Sequence, residues 1–234
     1  MPKWTRPELP YDSFEIFDNT DSVENSPLIS QEQIQDARIF SSREAYSKHL
    51  PKGIRYLELG VAWGYSANMF IRGAEAYSAD LVDWYNQDLK CWSWRKFGEC
   101  RCDGIKHELL YTAETHEKYI KDLFSWHPRV RTLKGEAREV IKNLKSEYDF
   151  IYIDLSNDRI LTREVLRSAQ DLVPVNGIIG LNDYTIFDGI IEETAYGTFQ
   201  TVNEFLDKNK NWIVDALALH PLGFYDIYLR KIFE

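Results

Sequence analysis

The chain has little of what would place it outside ordinary globular chemistry. It carries only three cysteines in 234 residues, an odd number that excludes a fully paired disulfide framework and suits a reducing compartment. No run of about 18 apolar residues occurs, so nothing in it reads as a membrane-spanning helix. The start, Met1-Pro2-Lys3-Trp4-Thr5-Arg6, lacks the apolar core of a secretion signal. Positive charge is in deficit, with 28 Lys and Arg against 37 Asp and Glu, for a formal net charge of -9. A surface of that sign does not neutralise a run of phosphates, which argues against sequence-independent nucleic-acid binding. Internal repeats and low-complexity segments are also missing. These absences lead us to expect a soluble, cytoplasmic protein whose partner is a small molecule, with neither nucleic acid nor membrane bound.

What is present suffices for one α/β domain, since 44% of the residues are hydrophobic. Residues 1–29 are polar, contain Pro2, Pro7, Pro10 and Pro27, and show no sustained periodicity, so they read as an N-terminal arm or lid. Residues 30–234 read as the folded domain. Its most informative stretch is Tyr56-Leu57-Glu58-Leu59-Gly60-Val61-Ala62-Trp63-Gly64-Tyr65-Ser66. This is a buried strand with a carboxylate at its end, then a glycine turn, then a helix whose first N–H groups are free to meet an anion. Gly60 permits a close backbone approach and Gly64 a close packing of the following helix. A dinucleotide fingerprint places glycines as G-x-G-x-x-G. Here Ala62 stands between Gly60 and Gly64, which weakens the pyrophosphate reading and leaves a nicotinamide-dependent oxidoreductase as the rival.

The E-x-G-x-x-x-G-x-S form resembles motif I of class I S-adenosylmethionine (SAM) methyltransferases, particularly the small-molecule branch that includes macrolide-sugar O-methyltransferases. The resemblance implies that Glu58, Gly60, Gly64 and Ser66, with Tyr65 between the last two, hold the methionine end of SAM. It also implies a Rossmann-like, doubly wound, mostly parallel seven-stranded sheet with an antiparallel C-terminal hairpin strand.

The rest of the chain supplies those elements. From Ser30 as N-cap, the spacing of Ile34, Ala37 and Phe40 predicts a short helix, and Ser41-x-x-Glu44 predicts a second. Strands are expected near 54–59, 79–83, 129–133, 148–153 and 178–181, and helices near 137–145, 160–172 and 196–208. Residues 212–219 and 224–229 flank a short turn and must pair antiparallel. Asp83 ends the second strand, where a doubly wound nucleotide fold places a ribose-hydroxyl ligand, although a solvated loop aspartate would look the same. In the family the turn Gly135-Glu136-Ala137 contacts adenine, which makes Glu136 a partner for its amine. Glu136 would serve equally as an acid at the following helix N-terminus.

Asp154 and the pair Asn182-Asp183 close two strands expected to be neighbours. Three oxygens there suit Mg²⁺ or another hard divalent cation, and the bland alternative is that they cap loops and helices. The stretches around them resemble the cation-dependent catechol and caffeoyl-CoA O-methyltransferases, with the acid–amide pair inverted. Where the catechol type has a lysine base, this chain has Asn157, so Asp154, a histidine (His107, His116, His127 or His220) or metal-assisted ionisation must take the proton.

Between Asp83 and Arg129 the chain is longer than a βαβ connection requires, giving an insertion at about 84–128. Trp84, Tyr85, Trp92, Trp94 and Phe97 would wall a substrate or simply pack the insertion onto the domain. Cys91, Cys100, Cys102 and His107 do not have the spacing of a standard zinc finger, and free thiols are the preferred reading over structural zinc. The expected function is SAM-dependent O-methylation of a hydroxylated small molecule, of natural-product, sugar or phenol type, assisted by Mg²⁺ or another divalent cation at Asp154, Asn182 and Asp183. A SAM-binding protein without transfer activity is the second rival. A homodimer is a family-level expectation.

Overall fold

Five short apolar runs, each buried on both sides, build the centre of the sheet. The computed structural model describes residues 27–85, 113–155, 159–184, 189–191, 194–219 and 225–233. The strands are β1 (Arg38–Phe40), β2 (Arg55–Leu59), β3 (Ser78–Asp83), β4 (Val130–Lys134), β5 (Phe150–Ile153), β6 (Ile178–Leu181), β7 (Gly189–Ile191), β8 (Thr194–Tyr196), β9 (Trp212–Leu219) and β10 (Tyr225–Lys231). The helices are α1 (Gln31–Ile34), α2 (Arg43–Ser47), α3 (Tyr65–Gly73), α4 (Ala113–Leu123), α5 (Ala137–Asn143), α6 (Arg159–Ala169) and α7 (Thr198–Lys208).

Eight strands form one mixed sheet in the order β1-β9-β10-β6-β5-β2-β3-β4, and β7 and β8 form a separate two-stranded ribbon. β2 pairs in parallel with both β3 and β5, and β10 runs antiparallel to both β6 and β9. This is a Rossmann-like sheet with the expected antiparallel hairpin. From β2 the chain winds outward through β3 and β4 on one side and later fills the other with β5 and β6. The carboxyl ends of β2 and β5 therefore flank the switch point, where α/β folds leave a crevice.

Side chains of alternating parity sort onto two faces. On one face Tyr56, Phe150, Tyr152 and Tyr228 meet Phe70 of α3 and Ile120 of α4 in a mostly aromatic layer. On the other, Leu57, Leu59, Ile151 and Ile153 meet Ile141, Val165, Leu166 and Leu206 in an aliphatic one. Parallel strands covered on both faces read as near-continuous apolar runs, which is why β5 and β6 are buried at every residue.

The structure corrects the reading of the segment before β2. Ser30 does cap α1, accepting from Gln33 N at 3.4 Å, but the helix ends at Ile34 and Arg38–Phe40 is an eighth strand, parallel to β9. The N-cap of α2 is Ser42 rather than Ser41, its hydroxyl accepting from Ala45 N at 3.0 Å. The ribbon of β7 and β8 was not anticipated. Helix α4 supplies the β3–β4 crossover inside the expected insertion. Residues 1–26 of the arm, the aromatic cluster from Trp92 to Phe97, the three cysteines, His107, Asn157 and His220 lie outside the described residues. Among the described residues no helix is long and apolar enough to cross a membrane.

Candidate active site

Gly60 and Asp154 touch across the switch point. Gly60 has φ +90°, and a Cβ there would lie 1.8 Å from the backbone carbonyl oxygen of Asp154. The close approach expected of this glycine is thus made to the neighbouring strand end. Gly64, at φ +72°, is the left-handed N-cap of α3. Its missing side chain leaves room for Leu123 and Ile120 of α4, at 3.0 and 3.2 Å from the position a Cβ would take. The space expected to bring this helix close to the strand is filled instead by α4.

The turn between the two glycines is held from both sides. Asp83 Oδ2 accepts from the backbone N–H groups of Val61 and Ala62, each at 2.9 Å. Among the described residues its Oδ1 takes only a 3.4 Å bond from Tyr85 N. Buried His116 donates from Nε2 to the Ala62 carbonyl at 2.6 Å. It thereby braces the turn and is occupied away from Asp154. His127 donates in the same way to the Ala76 carbonyl at 2.9 Å.

Glu58 faces the aromatic layer and is fully buried. Tyr56 donates its hydroxyl to Glu58 Oε2 at 2.5 Å, while Oε1 has no hydrogen-bond partner among the described residues. Burial drives this carboxyl well above its ordinary pKa, against the opposing bond from Tyr56. An orphaned, buried polar atom beside a glycine turn fits a polar ligand that supplies the missing bond. Glu136 stands at the N-terminus of α5, half-buried, with Arg138 Nε on its Oε1 at 3.0 Å. Ala137 is buried behind it, and Tyr65 points outward at 74% exposure.

Reading along the chain misses the group at the centre. Arg43, the first residue of α2, is buried, and its guanidinium reaches α3, the end of β6 and β10. Its Nε donates to Asp226 Oδ2 at 2.5 Å and its Nη2 to Asp226 Oδ1 at 2.9 Å. The same Nη2 donates to Asn182 Oδ1 at 2.6 Å, and Nη1 donates to Ser66 Oγ at 2.7 Å. Ser66, expected at the cofactor, is therefore a partner of Arg43. Asp226 reaches this edge because β10 is antiparallel, and it also accepts from Tyr152 and Tyr228 hydroxyls at 3.1 and 2.9 Å. One local trace existed. A basic residue in the first turn of a helix opposes the helix dipole and implies service elsewhere.

Asp154 Oδ1 accepts from Asn182 Nδ2 at 2.7 Å. Burial pushes the Asp154 carboxyl up to about 7. Arg43 pulls it down, Asp183 and Asp226 push it up, and the bond from Asn182 lowers it. Asp183, at φ +53°, adjoins this pair. The three residues expected at a divalent cation thus share one corner, but their donor set does not fit it. Asn182 presents its NH₂ to Asp154 and its oxygen to a guanidinium. A cation bound between Asp154 and Asn182 needs that oxygen. Among the described residues no group of three or more His, Cys, Asp or Glu could hold a metal ion.

A doubly wound sheet closed by an antiparallel hairpin, with a glycine turn and an acid at the ends of adjacent central strands, defines the architecture of class I methyltransferases. The chain belongs to the methyltransferase-domain family Methyltransf_24, which matches residues 57–184. Solved structures agree in fold. A putative rRNA methylase of Clostridium thermocellum is 17% identical with a TM-score of 0.54, over 82% of this chain and 94% of that one. The O-methyltransferase TomG of Streptomyces achromogenes, involved in tomaymycin synthesis and solved with SAM, is 13% identical with a TM-score of 0.55, over 82% and 78%. A putative methyltransferase of Streptococcus mutans, solved with S-adenosylhomocysteine (SAH), is 11% identical with a TM-score of 0.52, over 81% and 95%. No curated protein matches the chain in sequence. The chain thus carries a methyltransferase domain on the fold these structures share.

Proposed function

We propose that the acceptor is a hydroxyl of a small molecule and that Asp154 takes its proton. The observation that carries this is the contact between Gly60 and the backbone carbonyl of Asp154, which sets the residue bearing this carboxyl next to the glycine turn. Near neutral pH a carboxyl held at about 7 is partly ionised and basic enough to accept a hydroxyl proton. With Oδ1 held by Asn182, Oδ2 is the oxygen offered to the acceptor.

SAM, when bound, supplies an electrophilic methyl on a sulfonium that needs no further activation. Glu58 Oε1 would bind its amino-acid end, Asp83 Oδ1 a ribose hydroxyl and Glu136 the adenine amine. With the sulfonium already activated, in-line positioning of the acceptor against the methyl would account for most of the rate. The acidic balance of the chain, 37 acidic against 28 basic residues, favours a small acceptor over RNA.

Calorimetry with SAH and NAD, followed by transfer from labelled SAM to a panel of hydroxylated compounds, tests the reading. SAH binding with label in an ether product is expected. Binding of NAD without SAH, or transfer that survives in Asp154→Ala, would overturn it.

A further inference from the structure

We propose that Arg43 is the resident cation of the transfer site and that it keeps divalent metal out by fixing the Asn182 amide. The proposal deepens the reading of this site as one for methyl transfer.

The argument starts at the sheet register. Ile153 of β5 is paired with Leu181 of β6, so the next residues, Asp154 and Asn182, lie side by side. The inverted order of the Asn182-Asp183 pair therefore sets an amide, not a carboxylate, next to Asp154. An amide has two faces of opposite character, a carbonyl oxygen that accepts and an NH₂ that donates. Arg43 Nη2 lies 2.6 Å from the oxygen. A guanidinium has donors only, so this contact admits the amide in one orientation. The NH₂ then faces Asp154 Oδ1 at 2.7 Å. Turning the amide to offer its oxygen to a metal beside Asp154 would press NH₂ against Nη2, donor against donor. Both contacts would be lost together.

Arg43 cannot swing away to permit this. Asp226 grips it through two nitrogens and Ser66 accepts from a third, and bidentate pairing of this kind fixes geometry as well as charge. Tyr152 and Tyr228 hold Asp226 in turn. A fixed positive charge thus stands where a hydrated divalent ion would have to enter. The consequence for the chemistry is that Asn182 and Arg43 hold one oxygen of Asp154 and orient the other, a task a metal performs in cation-dependent enzymes.

The test is Mn²⁺ binding to the full chain, followed by electron paramagnetic resonance with and without SAH. The wild-type chain is expected to take up no stoichiometric ion. Arg43→Gln, which frees the Asn182 amide to turn, should tighten Mn²⁺ binding by about tenfold or more, and Asp154→Asn added to it should abolish the gain. Because Arg43→Gln leaves Asp226 buried without its cation, Arg43→Gln with Asp226→Asn is the second variant, with the same gain expected. One equivalent of Mn²⁺ on the wild-type chain, lost in Asp154→Asn, overturns the proposal without recourse to any variant. Absence of a gain in the folded variants also overturns it, since the guanidinium would then not be what excludes the ion. None of these readouts requires turnover, so a failed transfer assay would count against the proposed reaction and leave the metal result to stand or fall by itself.

Discussion

The closing hairpin carries two buried aspartates that look alike and do different work. Asp215 on β9 is 2% exposed and Asp226 on β10 is 1% exposed. Each accepts from arginine and from tyrosine. Asp215 receives Arg38 on both oxygens at 2.9 and 3.0 Å, Arg230 at 3.2 Å and the Tyr46 hydroxyl at 3.2 Å. It sits at the bulge where the β9–β10 register shifts, and bulges re-aim side chains. Its arginines are half in water, at 42% and 35% side-chain exposure, whereas Arg43 on Asp226 is at 10%. The first cluster staples the added strand β1 to the sheet edge. The second directs its guanidinium to Ser66 beside the glycine turn and to Asn182, the partner of the proposed base. Exposure and the identity of the remaining hydrogen-bond partners separate a structural ion pair from a functional one; the pair itself does not.

The largest effect should fall on the carboxyl that only the second cluster touches. Asp154→Asn keeps the shape and removes the base, and transfer to any accepted hydroxyl should fall by about 10²–10⁴-fold while SAH affinity, by calorimetry, stays near wild type. The pH profile follows from the raised pKa. Activity should drop about tenfold per unit below about 7, as Asp154 gains its proton. Stability from this group has the opposite sign. The fold favours the protonated carboxyl, so the contribution is full below the ordinary carboxylate range and is lost as pH rises through about 7. Denaturant titrations between about pH 4 and 7 separate the two trends, and an activity profile flat across that interval would remove Asp154 as base.

Next in size is the buried pair. Arg43→Met leaves Asp226 without its cation and should destabilise the chain by about 3–5 kcal/mol, read by denaturant unfolding, with transfer lost as well. A double-mutant cycle over Arg43 and Asp226 should show strong coupling. Gly60→Ala comes third. Its Cβ would meet backbone at Asp154, which cannot rotate aside, so overpacking of about 1–3 kcal/mol is expected, together with weakened SAH binding. An unchanged SAH affinity in Gly60→Ala would show that the contact between the two strand ends is not part of the cofactor site.

These residues differ in how far the sequence exposes them. The central strands, the glycine turn and the hairpin were legible because their signals are local: apolar runs of strand length, glycines at positive φ, two long strands across a short turn. β1 was not. Ile34, Ala37 and Phe40 fall at helical spacing, and the strand is made by pairing Arg38–Phe40 with Ala216–Ala218, far along the chain. The positions of Asp154, Asn182 and Asp183 at strand ends were read correctly, but the chemistry assigned to them depended on what lay between. That group, Arg43, draws partners from α3, from the end of β6 and from β10. No window of sequence contains them together.

The smallest effect is the one that tests the comparison most directly. Arg38→Met removes a cation from Asp215 just as Arg43→Met removes one from Asp226. Asp215 keeps Arg230 and the Tyr46 hydroxyl, and Arg38 is partly exposed, where solvent screens the pair. The loss should be about 0.5–1 kcal/mol, or roughly 1–4 °C in Tm for a chain of this size, with SAH binding and transfer unchanged. A loss as large as that of Arg43→Met would mean that burial of the aspartate alone sets the energy and that exposure of the arginine does not matter. A change in transfer without a change in Tm would mean that the edge strand communicates with the site, and the division of labour between the two aspartates would have to be redrawn.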